Sequence, residues 1–296
     1  MSDLIYTEDG AIDLISIFKE LWASKIKLIV LGLIFAVFSS IYTLFMPQYW
    51  TASSTLMTVE GASAGGGAAG NSLASMVGVS LGSSSIDQGQ IASEIAKSRD
   101  FFKYLIQDEQ VLVNLIAISG FKDGKNVYDP EIYDVALEKW VREKPAFHAS
   151  YKKYRSALSL NYDWERGGFI VASVTHRSPA FSKTLLEKII VGLNDQYRAR
   201  DIKEADKSLE YLSGMASSVT NADLRRSMSS LMQNQLKTKM FANVREYYLV
   251  EPLDSVYQPQ LRSKPQRTRI VLLSTFIGLL LSCMYIIFRK QFPVNS

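Results

Sequence analysis

The stretch SPAFSKTLLEKIIVGLNDQYRARDIKEADKSLEYLSGMASSV, Ser178–Val219, decides the fold. Ser178-Pro179 opens it, and proline suits a first helical position because its missing N–H is a donor that a helix start leaves unpaired in any case. Leu186, Ile189, Leu193 and Tyr197 form a first apolar stripe. Ala205, Leu209, Leu212, Ala216 and Val219 then step by four and three, a heptad-like seam. Between the two stripes, Arg198 to Glu204 is mostly charged. About 40 helical residues extend ~60 Å, more than one globular core needs. The segment therefore reads as a projecting rod whose charged middle faces water. Thr220-Asn221-Ala222-Asp223 is a break and a cap. A second helix follows to about Tyr248, with Leu224, Met228, Met232, Leu236, Met240 and Val244 on an i+4 ridge. Residues 179–248 are expected to form a long helical hairpin.

Downstream of the hairpin, Tyr247–Val250 reads as a strand returning to a sheet. Pro252, Pro259 and Pro265 keep residues 251–269 extended, since proline fixes φ and disfavours helix before it. Upstream, Ala157–Tyr162 and Phe169–Thr175 alternate at period two around Arg166-Gly167-Gly168, the pattern of a β-hairpin. Asp129-Pro130 predicts a helix over Glu131–Glu143, ended by Lys144-Pro145. Asp87–Ile118 reads as helical, with Ile91, Ile95, Phe102, Leu105 and Ile106 on one face. Tyr49–Val59 is rich in strand formers. Residues 61–85, dominated by Gly, Ala and Ser, cannot offset their ordering entropy by burial and are expected to form a mobile loop. The expected fold is α/β (α+β), with a small sheet and a projecting helical hairpin.

Two uncharged stretches bracket all this, Leu28–Met46 and Ile270–Phe288, each nineteen residues long. A helix crosses the hydrocarbon core in roughly 20 residues. Lys19, Lys25 and Lys27 precede the first span, and basic flanks tend to stay inside, which places residues 1–27 in the cytoplasm. Arg262, Lys264, Arg267 and Arg269 before the second span argue the other way, but long loops translocate with little regard to charge. The domain 47–269 then lies on the far side of the membrane and the tail 289–296 is cytoplasmic. Met46-Pro47-Gln48-Tyr49-Trp50 reads as an interfacial helix end rather than a cleavage site. Ile15, Phe18, Leu21 and Trp22 share one face of a short amphipathic helix, or of a simple extension of the span. Ser274, Gly278 and Ser282 lie at four-residue spacing on one face of the second span, where small residues let helices approach. Small residues are also common in any membrane helix.

The net charge is +4, with no block of like charges, so nucleic acid is not an indicated partner. Cys283, the only cysteine, allows no internal disulfide. His148 and His176 lack metal-ligand spacing and read as ordinary surface or hairpin-end residues. Asp163 and Glu165 flank Trp164, where a solvated hairpin tip outweighs glycosidic chemistry. No phosphate-cradling loop and no G-x-S-x-G is present, and no cofactor, metal or catalytic site is expected. Arg225 and Arg226, near the tip of the hairpin, are a candidate contact for anionic sugar or lipid diphosphate, because guanidinium suits phosphate. The plainer reading makes them a protomer contact or a wet helix face.

The chain resembles the bacterial polysaccharide co-polymerases, the Wzz-type chain length determinant proteins. The resemblance is carried by Ile12-Asp13-Leu14 and Leu21-Trp22 before the first span, Tyr49–Met57, Ser93-Glu94-Ile95 with Lys97-Ser98-Arg99, and Ser178-Pro179-Ala180. Leu209, Tyr211-Leu212, Arg245–Tyr248, Glu251–Asp254, Pro259 and Lys264-Pro265 complete it. It implies a non-enzymatic regulator of lipopolysaccharide O-antigen chain length in the bacterial inner membrane. It also implies a homo-oligomeric ring, partnered with the O-antigen polymerase and with undecaprenyl-diphosphate-linked polysaccharide. Leu209, Leu212 and Ala216 are the candidate protomer interface on the long helix. Family glycine pairs in the second span are represented here by Gly278 with Ser274 and Ser282, and residues 61–85 depart from the family pattern. Residues 289–296 leave no room for the kinase domain of related capsule proteins. A rival reading is an inner-membrane component of capsule or exopolysaccharide export and polymerisation.

Overall fold

The computed structural model describes residues 22–59, 88–163, 168–216 and 219–291. The expectations for the amphipathic segment 12–21, the glycine-rich segment 61–85 and the hairpin tip at Trp164–Gly167 lie outside these residues. In chain order the elements are α1 (Lys25–Phe45), β1 (Trp50–Thr58), α2 (Gln88–Lys97), α3 (Arg99–Leu105), α4 (Glu109–Ala117), β2 (Ile118–Lys122) and β3 (Lys125–Tyr128). Next come β4 (Tyr133–Asp134), β5 (Lys139–Trp140), α5 (Phe147–Ala157), β6 (Leu158–Asp163), β7 (Phe169–His176) and α6 (Pro179–Ala216). α7 (Ala222–Val244), β8 (Val250–Pro252) and α8 (Arg267–Gln291) close the chain. Packing divides it into two compact units, Tyr49–Arg262 and the pair Met1–Gln48 with Ser263–Ser296.

In the first of these units, an antiparallel sheet runs in the order β6-β7-β1-β8. Ala52 pairs with Val174 and Leu56 with Ile170, and all four are buried on one face. The strict alternation of Trp50, Ala52, Ser54 and Leu56 inward fixes this register, because a slip of one residue would turn the whole set to water. Against that face lies the first half of α6, burying Leu185, Leu186, Ile189 and Leu193. Its start is set by Ser178, whose hydroxyl accepts from the Phe181 N–H at 3.1 Å. Ser182 donates to the Trp50 carbonyl at 3.1 Å and so pins the helix to β1.

The expected single helix over Asp87–Ile118 is three, α2, α3 and α4, because side chains of Ser98 and Asp108 accept from the N–H of Phe101 and Gln110 and start new helices. α5 was not foreseen from sequence. Its Tyr151 and Tyr154 hydroxyls donate to the carbonyls of Lys97 and Ala96 at 2.6 and 2.7 Å, capping the end of α2. α4 has no basic residue in its last turn. Cations reach its carboxyl end from elsewhere: Lys153 of α5 donates to the Ile116 carbonyl, and Arg177, after β7, to that of Ser119. Burial, with Arg177 nearby, pulls the Lys153 ammonium below its usual range.

The predicted helix Glu131–Glu143 does not form. Asp129 accepts from the Glu131 N–H, and Asp134 from those of Ala136 and Leu137. These Asx turns outcompete helix, which aspartate disfavours for that reason. The β4–β5 pair results, with Tyr133 edge-on to Trp140 and packed on Val113 and Ala117 of α4.

The helical hairpin of α6 and α7 is as expected in order and nearly so in length, α6 having 38 residues and α7 23. Asn221 caps α7, its side chain accepting from the N–H of Asp223 and Leu224. α7 stops at Val244 rather than near Tyr248, and the returning strand begins at Val250. The i+4 ridge is corrected as well. Leu224, Leu236, Met240 and Val244 are exposed, while Met228, Gln235, Thr238 and Ala242 are buried. Each four-residue step turns ~40° past a full revolution, so a pure i+4 ridge winds around the helix, whereas steps of seven, three and four stay on one face.

Beyond α7 the chain is held by one polar line on α6. Asn194, buried, accepts from the N–H groups of Tyr248, Leu249 and Val250 at 2.7–3.1 Å and donates to the carbonyls of Ile190 and Val250. Arg198 donates to the carbonyls of Arg245 and Glu246. Asp201 accepts from the Tyr248 hydroxyl at 2.9 Å. Burial raises the Asp201 carboxyl above the usual carboxylate range despite that bond, and burial beside Asp201 raises the Tyr248 phenol. Asp254, in the proline-containing segment, accepts from the Thr55 N–H at 2.6 Å and extends the pairing of β8 with β1.

In the other unit, α1 and α8 pack on one another. Each is long and apolar enough to cross a membrane, Lys25–Phe45 with mean hydropathy 2.4 and Arg267–Phe288 with 2.5.

Candidate functional site

Four sets of sequence-derived residues can be located. Arg225 and Arg226 lie on the first turns of α7, and the structure brings them to one groove of about 470 Å³ with Thr220, Ser229, Ser230 and Gln233. The spacing explains the convergence. Positions 222, 225/226, 229/230 and 233 recur every three to four residues and so line one stripe of the helix. Arg225 donates to the Val219 carbonyl at 2.8 Å, which fixes its guanidinium. Arg226 makes a loose pair with Asp223 at 3.7 Å, both side chains more than four-fifths exposed. The hydroxyls of Thr220, Ser229 and Ser230 and the Gln233 amide have no hydrogen-bond partner among the described residues. Among the described residues no carboxylate lines the groove. Thr220, Ser229, Ser230 and Gln233 were missed from sequence. Only their helical spacing from the arginines marked them, and serine and glutamine on a wet helix face are unremarkable.

Gly278 and Ser282 are buried, and Ser274 half-buried, on α8. A Cβ at Gly278 would stand 2.5 Å from Cγ of Phe35, and one at Gly32 would stand 2.9 Å from Leu279. Two glycines thus each receive a large side chain from the opposite helix. The hydroxyls buried nearby bond within their own helices, Ser282 to Gly278, Ser39 to Ala36 and Thr43 to Ser40. They are satisfied without a partner across the contact, so close packing rather than hydrogen bonding joins the helices. The neighbour of the second span's small-residue face is therefore the chain's own first span. Gly32 and Phe35 were not singled out from sequence.

Leu209, Leu212 and Ala216 are half-buried along α6, whereas Tyr211 beside them is 67% exposed. Pro252 ends β8, and Pro259 and Pro265 follow in the non-helical approach to α8. The structure does not bring these residues to the groove.

The histidines serve no common site. His176 is buried at the end of β7, edge-on to Phe181. Its Nδ1 accepts from the Ser178 N–H at 3.3 Å, which leaves Nε2 as the donor toward the Leu115 carbonyl at 3.4 Å. Burial holds it neutral, with a pKa lowered to about 4. Among the described residues no group of three His, Cys, Asp or Glu side chains is disposed to hold a metal.

Residues 10–109 match the family model described as chain length determinant protein, Wzz. No curated protein matches the chain. Among solved structures it is similar to a full-length bacterial polysaccharide co-polymerase, at 11% identity and a TM-score of 0.38, over 94% of this chain and 97% of that one. The match to the Wzz chain length determinant model spans residues 10–109, about a third of the chain.

Proposed function

We propose that this protein regulates lipopolysaccharide O-antigen chain length without catalysing bond formation, as a membrane-anchored homo-oligomer working with the O-antigen polymerase on undecaprenyl-diphosphate-linked polysaccharide. The observation that carries the reading is the chain length determinant pattern over residues 10–109. Two apolar helices, one near each end, support a two-pass membrane protein. In this reading both termini are cytoplasmic, the spans are 28–46 and 270–288, and residues 47–269 lie in the periplasm of a bacterial inner-membrane protein.

Self-association is supported by apolar side chains that the hairpin leaves uncovered, Tyr211 on α6 and Leu236, Met240 and Val244 on α7. Leu209, Leu212 and Ala216, already partly covered within the chain, contribute less than these to such a contact. Ser274, Gly278 and Ser282 act by pairing the two spans, and through that pair fix what the membrane unit presents to a polymerase. The proline-containing approach at Pro252, Pro259 and Pro265 holds the link to the second span extended.

The test is the length distribution of lipopolysaccharide, resolved on a silver-stained gel, from a strain lacking the protein and from the same strain with the gene restored. A modal cluster that becomes random on loss and returns on restoration is the expected result. Loss of all surface polymer would replace the proposal with an export or polymerisation role in capsule or exopolysaccharide assembly, and an unchanged ladder would reject both.

A further inference from the structure

We propose that the groove along the first three turns of α7 is a binding site for an anionic saccharide segment, one bearing carboxylate or phosphate. The inference rests on the chain-length reading, and names the chemistry of polymer that this surface would take. Among the described residues its lining is two guanidinium groups, three hydroxyls and one amide, with only Ala222 as an apolar element. Such a surface offers no floor for a lipid tail. Among the described residues that line it there is no tryptophan or tyrosine face on which neutral sugar rings stack. What it offers is directional hydrogen bonding to hydroxyls and two positive charges about one helical turn or less from each other.

The attraction does not come from the end of the helix. The amides of Asp223 and Leu224 are already taken by the Asn221 side chain, and that of Arg225 by the Asn221 carbonyl. The side chains carry it. Arg225 is oriented by its bond to Val219 through one Nη, which leaves its other N–H groups to donate. Arg226 is held only by Asp223 at 3.7 Å, a wet pair that an anion displaces at little cost. Asp223, the partner of Arg226, is not among the described residues that line the groove. A volume of about 470 Å³ is within the range of small-ligand sites. A planar guanidinium grips carboxylate or phosphate through two parallel bonds, so both arginines favour charged sugars over neutral ones.

The experiment uses the full-length chain in detergent and measures binding of an oligogalacturonate, with a neutral maltooligosaccharide of equal length and inorganic phosphate as comparison probes. The acidic oligosaccharide is expected to bind at least ~10-fold more tightly than the neutral one. Binding should weaken as ionic strength rises. The double change Arg225→Gln with Arg226→Gln, and separately the exposed Ser229→Glu, should each reduce it about tenfold or more. Phosphate alone should compete, and should do so weakly. Equal binding of acidic and neutral probes, or binding unchanged in both variants, would overturn the inference. The same variants are placed in the deletion strain. If the wild-type gene fails to restore a modal length, the chain-length reading fails whatever the groove binds. If it restores one while the wild-type chain shows no preference for the acidic probe, the groove inference alone fails.

Discussion

Replacing Asn194 with leucine tests the way α6 holds the chain beyond α7. The side chain is nearly fully buried and makes five hydrogen bonds, three as acceptor and two as donor. Leucine is close in size and fills the space, so a cavity contributes little. The loss is polar: the N–H groups of Tyr248, Leu249 and Val250 lose their common acceptor in the interior. Each orphaned donor costs about 1–3 kcal/mol, a naive total of about 3–9 kcal/mol. Added apolar burial recovers about 1–2 kcal/mol, and local relaxation admits some water. The expected net loss is about 4 kcal/mol, a large share of a typical 5–15 kcal/mol stability. Asn194→Asp keeps the acceptor oxygens for the three N–H groups but turns a carboxylate toward the carbonyls of Ile190 and Val250, and should cost about half as much. Denaturant unfolding of the detergent-solubilised chain, followed by tryptophan emission, gives both values. Hydrogen exchange at residues 248–250 adds a local readout, since those amides should lose protection in the leucine variant before the sheet does. A leucine variant within 1 kcal/mol of wild type, with those amides still protected, would refute the reasoning.

Three further outcomes follow from the same structure. His176 has its pKa lowered to about 4 by burial, with Lys153 and Arg177 adding to the effect and the Leu115 carbonyl opposing it. Its unfolded value is about 6.5, so its contribution is complete above that pH and is lost as pH falls toward 4, by about 3 kcal/mol in all. Unfolding midpoints measured at pH 7.5 and 4.5 should fall less in His176→Gln than in the wild type, and equal falls would contradict this. Gly278→Leu drives a side chain into Phe35 and should separate the two spans, read as a lower melting temperature of the membrane unit in detergent; Gly278→Ser should be milder, and equal melting of all three would be the contrary result. Leu236→Glu with Met240→Glu, both about half exposed, should leave unfolding within about 0.5 kcal/mol of wild type while reducing cross-linked oligomers; undiminished oligomers would remove this face from any protomer contact.

The elements readable from sequence are those whose local signals and packing agree. Ser178-Pro179 marks the start of α6 because the cap and the fixed proline φ act within one turn, whatever packs outside. The β6–β7 hairpin and β1 follow from a period of two that the buried face enforces. Asp129-Pro130 misled because the same pair opens a helix or a turn, and the outcome depended on Asp134 and on Tyr133 reaching α4. α5 escaped notice because its tyrosines, Tyr151 and Tyr154, sit among lysines and arginines and are justified by carbonyls more than fifty residues away. At the site, Arg225 and Arg226 were legible as charge, but the groove's hydroxyls and the pairing of Gly278 with Phe35 depend on tertiary placement that no local pattern records.

The side chains of Asn194 and Arg198 grip main-chain atoms of residues 245–250, not the side chains there. Every amino acid but one offers the same N–H and carbonyl to that grip. The exposed position Glu246 is consequently free to drift in charge and size across descendants of this sequence without loosening the hairpin's root. Proline is the exception at 248–250, where the amide itself is what is held. The side chains of Tyr248, Leu249 and Val250 are themselves buried, so selection at 248–250 acts on apolar fit as well as on the amide, and only exposed Glu246 is left open by the main-chain grip.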